Sequence, residues 1–309
     1  MKHRKRKKRR PFQKIRRYAI YLLSIGMRRL LLFLPFRFSF FLCSCIASLG
    51  YWMLPRQRKR TLFNLNRAFG GEKDQKELKR IAIEMLRNIG RSSAEVMCWP
   101  KLGKKYLNTH VTIQNPEIIF DAFRKGKGVI GLTAHLGNWE YLAAFISNVL
   151  EIQFAVIARD ISNPWLNRLM EETRKSMKIK FLYRGESGLS IVRILKRNEG
   201  LGILADQSIR GEGVMVDFFG YPAKTLRGVA ELILISHATV IPLFIVRNKD
   251  LTKHSLIVEN PLSYTLTGDK ELDLKKISQT YTSLIESYIR RYPDQWMWIH
   301  NRWDVDSLK

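Results

Sequence analysis

The stretch Thr133-Ala-His-Leu-Gly-Asn-Trp-Glu140 gathers several groups able to do chemistry. His135 follows an apolar run, Gly137 permits a tight turn, and Asn138 suits a helix N-cap. Glu140 then falls in the first helical turn. Within one continuous helix, residues five apart point about 140° away from each other. A strand–turn–helix break removes that objection and can fold imidazole and carboxylate together. A carboxylate on one ring nitrogen fixes the tautomer, so the other nitrogen can take a proton from a hydroxyl. A histidine in this position can also be no more than a cap or a satisfied core residue.

The hydroxyl in question is expected to belong to the substrate. There is no G-x-S-x-G, and Cys43, Cys45 and Cys98 lie in the N-terminal apolar stretch and in a helix over 74–98. With three cysteines and no C-x-x-C, a disulfide framework, a zinc ribbon and a thioredoxin-type redox site are all excluded. His-x-x-x-x-Glu is not the H-E-x-x-H spacing that puts two metal ligands on one helix face. No metal and no cofactor are expected.

The elements that must position this motif are readable from periodicity. Leu78, Ile81, Ala82, Met85, Leu86, Ile89 and Met97 recur at helical spacing over 74–98. Short apolar runs follow, at 110–114, 128–134, 153–158, 200–205, 240–246 and 255–259. Helical patterns lie at 116–125, 139–150, 163–177, 187–198, 225–237 and 271–291. Such alternation predicts an α/β layered fold with a largely parallel or mixed sheet. Ligands in such sheets bind beyond the carboxyl ends of the strands. That rule singles out His135, Arg159-Asp160 and Asp206-Gln207. Arg159 offers bidentate geometry for a phosphate or an acyl donor, and Asp206 could orient Arg159 or meet the acceptor. Phe218-Phe219 and the tryptophans at 296, 298 and 303 read as core.

The chain has 309 residues and is 46% apolar, too apolar for an intrinsically disordered protein. Its 54 Lys and Arg against 27 Asp and Glu give a formal charge of +27. That excess implies a polyanionic partner: nucleic acid, anionic lipid or an acidic carrier protein. Residues 2–17 hold eleven bases and no acid, yet the rest keeps 43 bases against the 27 acids. The simplest partition is a basic tail over 1–17, a membrane-anchoring hydrophobic segment over 18–55 and a catalytic domain over 56–309. The longest uncharged apolar run, Phe38 to Leu54, is 17 residues long, at the short limit for crossing a bilayer. A single span, an in-plane helix or helical pair, and a buried core helix all fit it. Basic residues on both flanks leave orientation open. A polybasic segment beside an apolar helix attaches to an anionic inner leaflet either way.

His135-Leu-Gly-Asn-Trp-Glu140 resembles the H-x-x-x-x-E signature of the bacterial late acyltransferases of lipid A biosynthesis, the lauroyl and myristoyl transferases. These sit in the wider glycerolipid (lysophospholipid) acyltransferase superfamily, where Asp is commoner in the Glu position. Arg159-Asp-Ile-Ser-Asn-Pro-Trp-Leu-Asn, Leu204-Ala-Asp-Gln-Ser, Gly213-Val-Met-Val-Asp-Phe-Phe-Gly-Tyr-Pro-Ala-Lys-Thr and Tyr292-Pro-Asp-Gln-Trp-Met-Trp-Ile-His-Asn-Arg-Trp are similar to its later blocks, in order, over about residues 60–305. The chain departs in carrying Ser208 where an acidic residue is frequent, and in its basic N-terminus. Mycobacterial phosphatidylinositol mannoside acyltransferases share the Glu form.

The resemblance implies a glycerolipid-acyltransferase-like layered sheet with flanking helices behind an N-terminal membrane-anchoring helical segment. It implies a fatty acyl donor on acyl carrier protein, and an anionic glycolipid acceptor, the lipid A precursor. The catalytic domain would face the cytoplasm at the bacterial inner membrane. His135 would act as general base, supported by Glu140, and Arg159, Asp160, Asp206 and Gln207 would contact substrate. Backbone N–H groups near Gly137 could hold the oxyanion. Three alternatives are an acyltransferase for another glycolipid or lysophospholipid, a membrane hydrolase using the same pair with water, and a basic nucleic-acid-binding protein. The last rests on charge alone, with no recognised nucleic-acid motif, and no nucleic-acid partner is expected.

Overall fold

A computed structural model describes residues 11–158, 161–183, 188–209 and 211–303. Five helices come first: α1 (Pro11–Phe33), α2 (Phe36–Met53), α3 (Pro55–Phe69), α4 (Gln75–Met97) and α5 (Trp99–His110). Strand–helix alternation then runs through β1 (Val111–Gln114), α6 (Glu117–Arg124), β2 (Val129–Thr133), α7 (Trp139–Asn148), β3 (Phe154–Ala158), α8 (Pro164–Ser176), β4 (Lys180–Tyr183), α9 (Gly188–Lys196) and β5 (Gly200–Leu204). A two-stranded ribbon, β6 (Val214–Phe218) and β7 (Tyr221–Thr225), leads to α10 (Arg227–Ser236), β8 (Thr239–Arg247), β9 (His254–Val258) and α11 (Lys270–Arg291).

The main sheet has the order β1-β9-β8-β2-β5-β3-β4. Its pairs are parallel except β8 with β9. The α/β reading therefore holds, with a mixed but mostly parallel sheet. β2 is buried at every position, as a central parallel strand covered on both faces must be. Ile130, Leu132, Leu201 and Ile203 point into one apolar core, and Val129, Phe154, Ile241 and Leu243 into the other.

The N-terminal apolar segment is two helices, broken at Leu34-Pro35, and α1 runs across the boundary expected at 17/18. Ser39 Oγ donates to the Leu31 carbonyl at 2.8 Å and ties the pair together. α2 buries Ser39 and Ser44, with Tyr51 near its end, while Phe38, Phe41, Trp52 and Met53 are 59–74% exposed. The buried side lies on α4. A Cβ at Gly90 of α4 would sit 2.3 Å from the Cys43 carbonyl oxygen, so the two backbones touch where no larger residue fits. A helix that hides serine and presents phenylalanine has the polarity of a water-soluble helix reversed.

Candidate active site

His135 lies two residues beyond the end of β2. Thr133 of β2 is in register with Leu204 of the parallel neighbour β5, so the residues two past each strand end, His135 and Asp206, arrive side by side. Asp206 Oδ1 is 2.8 Å from His135 Nδ1, and its Oδ2 accepts from the His135 backbone N–H at 2.9 Å and from Trp296 Nε1 at 2.7 Å. An ionised carboxylate only accepts, so Nδ1 carries a proton, and the tautomer set for the neutral ring is the one with its lone pair on Nε2. Burial alone would raise the Asp206 carboxyl. The His135 ring charge and hydrogen bonds, with the Trp296 N–H, outweigh it and hold the group well below the usual carboxylate range.

Glu140 sits elsewhere than the sequence reading had it. Both its oxygens are engaged by Arg174 of α8, with Nη2 at 2.6 Å and Nε at 3.1 and 3.2 Å. The first turn of α7 directs Glu140 toward α8, and the place on the imidazole nitrogen is filled by Asp206. Asp206 is correspondingly buried rather than on the cavity wall: it is 2% exposed, behind the ring. Arg159 and Asp160 lie outside the described residues. Gln207 Nε2 stands 3.1 Å from His135 Nε2 and 2.7 Å from His300 Nε2, so one amide bridges the two rings.

His300 is the residue the sequence reading missed. Its ring is T-shaped to that of His135, 5.2 Å away. Burial, followed by the nearby His135, lowers its pKa to about 4, with a further contribution from Arg60. Its only sequence signal is its place in the aromatic block 296–303. Trp296, Trp298 and Trp303 are core, as expected, as are Phe218 and Phe219.

The turn carrying His135 is pinned from behind. Gly137 takes φ +60°, and a Cβ there would lie 2.0 Å from the Ile245 carbonyl oxygen. Its N–H donates to the Gln295 carbonyl at 3.0 Å. Asn138 caps α7 by accepting from Tyr141 N–H, and donates to the fully buried Glu95 at 2.8 Å. Arg247 of β8 grips Glu95 through both Nη atoms at 2.7 Å, and His254 Nε2 lies 3.0 Å from it. The Gln295 amide pairs with both backbone groups of Arg247, at 2.7 and 2.9 Å. Four elements thus meet on one carboxylate just behind the motif.

In front of His135 lies a cavity of about 380 Å³. Along the sheet its wall is built mainly from alternate positions of four strands, Gly131 and Thr133, Phe154 and Val156, Phe181, and Gly202 and Leu204, with Ile157 and Ala158 joining at the end of β3. Period-two alternation puts the alternate positions on one face. Met170 and Arg174 of α8, with Leu142 and Glu140 of α7, close the other side. Apart from the Glu140–Arg174 pair, its depth is apolar. Among the described residues no group of three or more His, Cys, Asp or Glu side chains is placed to hold a metal ion.

The family model for the bacterial lipid A biosynthesis acyltransferases matches residues 6–304. The chain belongs to that family. It is 25% identical over 288 residues to a lipid A biosynthesis acyltransferase of Haemophilus influenzae, covering 90% of this chain and 85% of that one. It is 22% identical over 244 residues to the lipid A biosynthesis myristoyltransferase of Escherichia coli, covering 78% and 73%. A phosphatidylinositol mannoside acyltransferase of Mycolicibacterium smegmatis is 21% identical over 225 residues, covering 72% and 71%. In this acyltransferase, the His135 turn and the apolar cavity are the parts suited to acyl transfer.

Proposed function

We propose that this enzyme moves a fatty acyl chain from acyl carrier protein to a hydroxyl of a lipid A precursor in the cytoplasmic leaflet of the bacterial inner membrane. The observation that carries the proposal is a histidine with a fixed tautomer opening on a long apolar cavity. The acyl chain fills the cavity and brings its thioester carbonyl beside His135. Nε2 takes the proton of the acceptor hydroxyl as its oxygen attacks that carbonyl carbon. The tetrahedral intermediate then expels the thiolate, which the ring can reprotonate. Asp206 holds the imidazolium while it exists. Arg174, held on one edge by Glu140, is a guanidinium lining the cavity and offers charge to the developing oxyanion. In this arrangement Glu140 acts through Arg174.

The reversed helix α2 supports membrane association. Its exposed phenylalanine and tryptophan face suits the acyl boundary of one leaflet, and its other face is spent on α4. That favours an in-plane anchor over a span, because a spanning helix would carry α4 into the hydrocarbon. α3 begins directly after α2 with Arg56, Arg58, Lys59 and Arg60, and the Arg60 charge is felt at His300. A basic segment at the leaflet surface beside the site suits an anionic acceptor. The acidic carrier protein suits the same basic surface.

The test is acyl transfer by purified enzyme from acyl carrier thioester, with and without lipid A precursor, read by mass spectrometry of the lipid. Acylated precursor that disappears in His135→Ala supports the proposal. Acyl release at the same rate with or without acceptor would mark a hydrolase instead. Transfer only to a phosphatidylinositol mannoside would move the acceptor assignment.

A further inference from the structure

We propose that Phe154 is the stop that sets how long an acyl chain the cavity accepts, an assignment that rests on the acyl-binding reading above. Phe154 opens β3, in register with Gly200 of β5, and its side chain is 4% exposed at the foot of the cavity. Its ring lies flat over a floor of glycine. A Cβ on Gly200 would lie 2.0 Å from Phe154 Cδ2, one on Gly131 2.5 Å from Cζ, and one on Gly202 3.1 Å from Cε1. Gly131 and Gly202 are themselves register partners on β2 and β5. Any side chain at Gly131 or Gly200 would expel the ring from this seat, so three glycines on two strands serve one aromatic residue.

The cavity ends where the ring begins. Its lining on β2 and β5 stops at Gly131 and Gly202, and beside β4 it stops at Ile179, level with Phe154. From the level of His135 to that of Gly131 is four residues, about 13 Å of strand rise, or roughly ten carbons of an extended chain. Nothing polar waits at that end, so a chain too long for the space meets carbon and gains nothing by pushing further. Discrimination of this kind comes from steric exclusion and is worth roughly tenfold or more per methylene.

The experiment compares kcat/KM across acyl carrier thioesters of increasing chain length, in two-carbon steps, for the wild type, Phe154→Leu, Phe154→Ala and Gly202→Ala. Phe154→Leu keeps the position apolar while shortening the stop. It should move the preference to longer chains, changing the ratio of long to preferred donor by roughly tenfold or more. Phe154→Ala should move it further. Gly202→Ala adds a methyl whose nearest neighbours, the Phe154 ring edge and a Val156 methyl, stand at 3.1 and 3.3 Å, and it should move the preference to shorter chains. A donor with a photoreactive terminal carbon, used on the wild type, makes the result independent of how the variants fold: it should label Phe154, Leu142 or Ile179. Labelling of α1 or α2 instead, or a folded Phe154→Leu enzyme with the wild-type chain profile, would overturn the assignment while leaving acyl transfer in place. Wild-type enzyme that transfers no acyl chain from any donor would overturn the reading beneath it.

Discussion

Asp206→Asn is the sharpest perturbation of the proposed chemistry, because the hydrogen bonds dictate its outcome. Oδ2 takes two N–H donors, from the His135 backbone and Trp296, while Oδ1 takes only the ring proton. An asparagine keeps the two-donor position satisfied by placing its oxygen there. Its amide nitrogen must then face His135 Nδ1 and donate to it, so the ring proton moves to Nε2. The nitrogen that should remove a proton now carries one. Loss of general base catalysis is worth about 10²–10⁴-fold, and the upper half of that range applies because the tautomer is inverted. The fold should survive, since both N–H donors on Oδ2 keep their acceptor and the loss is confined to the ring, costing about 1–3 kcal/mol. Initial rates of acyl transfer, with melting curves as control, measure both. If Asp206→Asn turns over like the wild type while Glu140→Gln is inactive, then Glu140 is the carboxylate that supports His135 and the tautomer argument fails.

Further outcomes follow from the same contacts. Gly137→Ala forces a side chain onto the Ile245 carbonyl at a left-handed backbone, and should cost about 2–4 kcal/mol in denaturant titrations along with most of the turnover. His300, with a pKa lowered to about 4, stays neutral in the fold, while the unfolded chain takes up a proton below about pH 6.5. Its share of stability is therefore present above that pH and falls by about 2 kcal/mol on going down to pH 5; His300→Gln should flatten this part of the pH–stability curve. Phe41→Asp and Trp52→Asp should each weaken sedimentation with anionic vesicles by tenfold or more, at about 1.5–3 kcal/mol per buried side chain. Raised salt should weaken the wild type as well, through the screened basic segments, and the deficit of the variants should persist on vesicles of neutral lipid. Glu95→Gln breaks the charge pairing with buried Arg247 and should cost about 3–5 kcal/mol.

The sequence made the motif legible and left its partner hidden. An apolar run, a glycine and an asparagine placed His135 at a strand end, Asn138 as a cap and Glu140 in the first turn, as found. The helices at 116–125, 139–150, 163–177 and 271–291 match α6, α7, α8 and α11 within two residues at each end. Asp206 was also singled out as a strand-end residue. Its pairing with His135 depends on β5 lying beside β2, which no local pattern encodes. β4 escaped notice because Lys180-Phe-Leu-Tyr is four residues with a charge at its start, and β6–β7 because Asp217, Gly220 and Pro222 interrupt it. α3, with its run of bases, shows no stripe until Leu62, Leu65 and Phe69 are seen against α4. His300 is 165 positions from His135, and only the closing of the chain over the sheet brings the two rings together.

That closing sets an order of events during synthesis. Residues 295–303 complete the site: Gln295 holds Gly137, Trp296 donates to Asp206, Met297 N–H donates to the His135 carbonyl, and His300 shares Gln207 with His135. They leave the ribosome about 250 residues after α2, which at 5–20 residues per second is an interval of about 10–50 s. On the function proposed above, the exposed aromatic face of α2 can settle on a leaflet throughout that time, while His135 has neither its full set of partners nor a closed cavity. On that proposed function, the enzyme gains its reactivity only after it has reached the surface proposed for its acceptor, and a partly made chain cannot consume the acyl thioester donor.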